Sequence, residues 1–207
     1  MKLEKKHELV LLRLRYLKKE LQFTEETHES ASEEFLEAYK KKVASLPEAQ
    51  KDKIRNALEK ENKKRTRREQ AKKVIKKEKK KEEGQADKEK SAKRLFKEVA
   101  KASHPDVMNA ASEKEREKKE VLFKKAQEAV SENRYFDLIE VAEKLDIDIP
   151  PPSPEGLNLL KESVSKINAQ IKSLKSTFAW VWYHSENRKL QVMSDYISRI
   201  IRGNIRT

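Results

Sequence analysis

Leu3, His7, Val10, Leu14, Leu17 and Leu21 step alternately by four and three residues, a spacing that lines side chains along one seam of a helix. The pattern predicts a helix from the N-terminus to about Glu20 whose seam needs a partner. A second apolar stripe, Phe35, Leu36, Tyr39, Val43 and Leu46, precedes Pro47, and proline belongs at helix starts rather than interiors. Residues 1–47 therefore read as an N-terminal helical hairpin. From Glu48 to about Glu83 the apolar positions thin to Ile54, Ala57, Leu58, Val74 and Ile75, which predicts a long, largely solvated helix over residues 48–86 with a break near Gly84. Pro150, Pro151, Pro152 and Pro154, followed by Gly156, cannot continue a helix, because proline lacks an amide donor and clashes with the preceding turn. Residues 150–156 are thus the expected linker. Beyond it Leu157, Leu160, Val164, Ile167, Ile171, Leu174 and Phe178 keep the three-four spacing, and Met193, Tyr196, Ile197, Ile200 and Ile201 supply a second stripe. Residues 157–207 read as a C-terminal hairpin with Ala179 to Asn187 near its turn.

Between these flanks, residues 87–149 hold the most specific pattern. At roughly 100° per residue, Lys90, Arg94, Lys97 and Lys101 fall on one helix face, and Ala92, Leu95, Phe96, Val99 and Ala102 fall on the opposite one. One face packs and the other presents positive charge. Pro105 disfavours the helical conformation at His104, so the helix ends at about Ser103, and His104, Pro105 and Asp106 open an exposed loop. A second helix starts after Ser112. Its Leu122, Phe123, Ala126, Ala129 and Val130 span an arc able to meet the first helix, with two small alanines permitting close antiparallel approach. The expected fold class is all-α, a helix pair flanked by long helical hairpin or coiled-coil segments.

Composition supports helices over sheets. Of 207 residues 36% are hydrophobic and 41% charged, with three glycines, against nearly half apolar and about a quarter charged in an average soluble domain. With no cysteine, disulfides, thiolate metal sites and cysteine nucleophiles are excluded. His7, His28 and His184 lie in different segments without ligand-like spacing, and the chain has no Gly-rich phosphate loop or nucleophile elbow, so neither metal, cofactor nor catalysis is expected. The basic start, Met1 to Lys6, is followed by a Leu9 to Leu12 run that Arg13 and Arg15 break, too short for a signal core or a spanning helix. A soluble cytoplasmic protein without membrane partners is the expectation.

The pattern Lys93-Arg94-Leu95-Phe96-Lys97-Glu98-Val99-Ala100-Lys101-Ala102-Ser103-His104-Pro105-Asp106, then Leu122-Phe123-Lys124-Lys125-Ala126-Gln127-Glu128-Ala129-Val130, resembles helices II and III of the DnaJ-type J-domain with their connecting His-Pro-Asp loop. The resemblance covers roughly 60 residues. It departs from the family in lacking a recognisable helix I, since Lys72 to Lys90 offers only Val74 and Ile75 as large apolar residues, and in carrying Ser103 and Val130 where aromatics are common. The Gly/Phe-rich segment and zinc-binding cysteines of full-length DnaJ are also absent. The chain thus looks like a divergent member with extra helical segments at both ends, its core completed by Tyr135, Phe136, Leu138, Ile139 and Leu145. What the resemblance implies is a non-enzymatic co-chaperone of a DnaK-type ATPase. Lys90, Arg94, Lys97 and Lys101 would dock on an acidic surface of that partner, while His104, Pro105 and Asp106 signal to it. Leu95, Phe96, Val99, Leu122, Phe123, Ala126, Ala129 and Val130 would form the domain core.

Two further patterns leave alternatives open. Over Lys51 to Glu82, 16 Lys and Arg face 6 Asp and Glu, so +10 of the net +13 sits there. Such a run is either a solvated spacer or a surface for nucleic acid or ribosomes, through Arg55, Lys63, Lys64, Arg65, Arg67, Arg68, Lys72 and Lys73. No aromatic residue interrupts it, so base stacking is unsupported. Trp180, Val181, Trp182 and Tyr183 form an aromatic patch that either packs internally or holds a client protein. The terminal heptad seams also suit a coiled-coil scaffold.

Overall fold

The computed structural model describes residues 2–79, 90–104 and 112–203, with the side chains of 65, 67–79 and 90 outside the description. Every element among these residues is helical: α1 Leu3–Ala44, α2 Glu48–Lys79, α3 Lys90–Ser103, α4 Glu113–Ser131, α5 Tyr135–Lys144, α6 Pro154–Lys175, α7 Phe178–Tyr183 and α8 Lys189–Ile201. The all-α expectation holds for them.

The expected N-terminal hairpin does not form. Residues 3–44 are one continuous helix, because neither proline nor glycine occurs before Pro47 and the first seam does not stop at Leu21. It continues through Thr24 and Ala31 to Phe35, all buried. Thr24 satisfies its hydroxyl on the Glu20 carbonyl at 2.7 Å, so a polar residue sits in the seam without an unmet hydrogen bond. Pro47 then accepts the first bonds of α2 on its carbonyl, from the amides of Gln50 and Lys51. Two other boundaries also move. Pro154 is the first residue of α6 rather than part of a linker, with Ser153 Oγ accepting from the Gly156 amide at 2.9 Å, the arrangement expected of a serine cap before a first-turn proline. The C-terminal segment is α6, α7 and α8 rather than two helices, since Thr177 caps a separate short α7 by accepting from the Trp180 amide. Residues 80–86, assigned above to the long basic helix, lie outside the described residues.

The chain divides into two compact units. The first takes residues 1–19 and 85–169, hence the start of α1, all of α3, α4 and α5, and most of α6. Leu14, Leu95, Leu138, Ile139 and Leu160 are its fully buried large side chains. His7 is buried with them, and burial lowers its pKa by penalising the charged imidazolium. The second unit takes residues 20–84 and 170–207. Its core gathers Phe35, Ile54, Trp182, Met193, Ile197 and Ile200, with Phe35 set edge-on to both Trp182 and Tyr196. Ile54 anchors the start of α2 against this core, so that part of the basic helix is packed rather than solvated. The aromatic patch divides similarly: Trp182 is buried, Trp180 and Tyr183 are half-buried and Val181 is exposed.

Two short connections in the first unit carry left-handed backbone at non-glycine residues. After α4, Asn133 has φ 54°, the Arg134 amide reaches the Ala129 carbonyl at 2.7 Å and the Asn133 amide reaches Val130. After α5, Asp146 has φ 56°, with Ile147 bonded to Ala142 and Asp146 to Glu143. Both are Schellman terminations, in which glycine ordinarily fills the left-handed position. Replacing Asp146 with glycine is expected to raise unfolding free energy by about 0.5–1 kcal/mol in chemical denaturation, because the strain relieved exceeds the entropy added to the unfolded chain. A destabilised variant would contradict this reading of the turn.

Candidate functional site

The helix α3 is short and two-faced. Ala92, Leu95, Val99 and Ser103 are buried and Phe96 and Ala102 half-buried, whereas Lys93, Arg94, Lys97 and Lys101 are exposed. Ser103 closes the buried face by donating to the Val99 carbonyl at 2.7 Å, so its hydroxyl adds no unpaired polar group to the core. Lys101 donates to both carboxylate oxygens of Glu98, at 3.0 and 3.2 Å. The side chain of Lys90 lies outside the described residues.

The buried face of α3 packs against α4 and α5, which also pack on each other. From α4 come Ala126 and Ala129, both essentially without exposure, with Leu122, Phe123 and Val130 half-buried around them. Small buried side chains permit close helix packing, and Phe96 and Phe123 stack with ring centroids 6.2 Å apart. Of the eight core positions expected from sequence, Leu95, Val99, Ala126 and Ala129 are buried and Phe96, Leu122, Phe123 and Val130 half-buried. Sequence reasoning also proposed α5 as the completing helix, and Tyr135, Phe136, Leu138 and Ile139 are buried there, with Leu145 half-buried at its end.

The end of α3 is fixed by the same ring. His104 keeps its amide on the Ala100 carbonyl at 2.8 Å and sets its imidazole edge-on to Phe123 at 5.2 Å, half-buried. Pro105 and Asp106 lie outside the described residues. The following helix starts from a capping pair: the Glu115 carboxylate accepts from the Ser112 amide at 3.1 Å and from its hydroxyl at 2.8 Å. The hydroxyl bond, with the amide bond next, lowers the Glu115 pKa. The segment 105–111 is thus bounded by a ring-packed histidine on one side and a capped helix start on the other.

Contacts that the sequence did not signal hold α5 in place. Lys18 of α1 donates to Asp137 at 3.0 Å and to Glu140, and its ammonium lies 5.6 Å from the Phe136 ring centre. Burial pulls the lysine pKa down, but the two carboxylates outweigh it and the net shift is upward. Arg15 pairs with Glu143. Acidic residues three apart on a helix facing basic ones three apart on another are invisible to a one-helix periodicity scan. Three or more metal-ligating side chains do not cluster among the described residues, and no helix there is long and apolar enough to cross a membrane. No family model, curated protein or solved structure matches this chain.

Proposed function

We propose that this chain is a J-domain co-chaperone, which binds a DnaK-type chaperone and stimulates its ATP hydrolysis. The observation that carries this reading is the build of α3. It buries Leu95 and Val99 against α4 and α5, turns Arg94, Lys97 and Lys101 to solvent, and ends at His104 locked against Phe123. A rigid cationic ridge joined to an oriented imidazole is what a docking helix needs: the charges steer encounter with an acidic partner, and the corner makes a geometry-dependent contact. In this reading the proline ring at position 105 would restrict the chain after His104, and Asp106 would supply a carboxylate for a partner cation. The reaction itself belongs to the partner, so this chain needs no catalytic group, metal or cofactor of its own.

The test is steady-state ATP turnover by a DnaK-type chaperone from the same source. The parent protein is expected to accelerate turnover several-fold, and His104→Gln and Asp106→Asn to return it to the unstimulated rate. Equal rates with parent and variants, or no stimulation by the parent, would remove the proposal. Assistance to a client protein and placement on nucleic acid or ribosomes through residues 51–82 are additional roles compatible with it.

A further inference from the structure

We infer that α1 pairs with α1 of a second copy of this chain, in antiparallel orientation. Leu9, Leu12, Tyr16 and Phe23 are 59%, 54%, 67% and 67% exposed. Scattered apolar residues on a surface need no explanation, but these four follow spacings of three, four and seven on one helix, the two core positions of a heptad repeat. The opposite seam, which includes His7, Leu14, Leu17, Thr24, Ala31 and Phe35, is the buried one. The helix therefore carries two apolar seams, one used within the chain and one facing outward. At 42 residues and about 1.5 Å rise per residue, it is long enough for a two-stranded pairing.

Charge decides the occupant and its direction. Residues 2–19 contain seven Lys and Arg against two Glu, and residues 20–37 contain seven Glu with no Lys or Arg. Lys2, Lys5, Lys6, Arg13 and Lys19 on one half, and Glu26, Glu29, Glu33, Glu34 and Glu37 on the other, are all exposed and all fall on or beside the outward seam. A parallel pair would set cationic half on cationic half and acidic on acidic, within the roughly 8 Å over which exposed charges act at physiological salt. An antiparallel pair with Leu12 of one copy opposite Phe23 of the other sets the two kinds of core position against each other and brings Lys2 and Lys6 of one copy beside Glu33 and Glu29 of the other. The surface is thus complementary to itself under a two-fold operation, as an isologous dimer requires. Lys5, Lys19, Glu26, Ser30, Glu33 and Glu37 also occupy core positions of the same repeat and limit its strength, so association in the upper micromolar range is expected.

Sedimentation equilibrium of the full chain at about 1–100 µM tests this. The parent is expected to be dimeric at the upper end. Leu12→Glu with Tyr16→Glu, both at exposed positions, should give a monomer with unchanged far-ultraviolet circular dichroism. A second variant, Glu26→Lys with Glu29→Lys and Glu33→Lys, should weaken association at least tenfold. Because the chain has no cysteine, orientation is read by mixing Lys6→Cys protein with Glu29→Cys protein under mild oxidation, and mixed disulfides should exceed like-with-like products. A monomeric parent, dimerisation indifferent to both variants, or a predominance of Lys6→Cys homodisulfides would overturn the inference. ATP turnover does not enter these measurements, so they stand or fall apart from the co-chaperone reading.

Discussion

Truncation of Leu138 to alanine is expected to lower unfolding free energy by about 2–5 kcal/mol, the range for removing a large aliphatic side chain from a site that cannot collapse. Leu138 has no exposed surface and belongs to α5, in which Tyr135, Phe136, Ile139, Val141 and Ala142 are also buried. With six of its ten residues inside the core, α5 is the element on which α3 and α4 both rest. Total stability for a domain of this size is about 5–15 kcal/mol, so the loss is a large share of it. Urea denaturation followed by circular dichroism gives the measurement, with Val121→Ala as the control because Val121 is exposed. A cost below about 1 kcal/mol at Leu138 would mean that α5 is a loose cover rather than a support.

The second large effect concerns partner association. Under the co-chaperone proposal, exchanging Arg94 and Lys97 for glutamate is expected to weaken binding to a DnaK-type chaperone by roughly a hundredfold at low salt, since like charges set against each other cost several kcal/mol. Stability should be nearly unchanged, because both side chains are exposed. The parent's affinity should fall as salt rises, whereas that of the variant should depend on salt far less. Lys101 contributes less than its charge suggests, as it is already bound to Glu98. Surface plasmon resonance across a salt series reads all of this, and a variant that binds like the parent would show that the ridge does not face the partner.

Periodicity made most of the packing legible. The seam positions His7, Leu14 and Leu17 and the stripe Leu157, Leu160, Val164 and Ile171 are buried as spacing implies, and the faces of α3 separate as its sequence predicts. What failed was the gap between the two stripes of α1. A scan for large apolar residues finds none from Thr24 to Ala31, yet the seam runs through it on Thr24 and Ala31, which are buried, and on His28. Threonine bonds its own helix, and His28 reaches Thr177 at 3.0 Å. Polar residues satisfied by backbone or by a distant segment look like an interruption when only hydrophobicity is read. The ion pairs from Arg15 and Lys18 to α5 were hidden for a related reason, since sequence gives each helix its faces but not which helices meet.

Each unit is assembled from segments far apart in the chain, and that fixes when it can form. Lys18 and Asp137 are 119 residues apart, and Glu20 and Lys175 are 155 apart. At about 5–20 residues added per second during synthesis, α1 waits on the order of ten seconds or more for the residues that cover its seam. In that interval Leu14 and Leu17 are open to any hydrophobic surface in reach. Newly made copies of this protein are thus themselves candidates for capture by holding factors, and a chain cut short after residue 86 contains the opening strokes of both units and the closing half of neither.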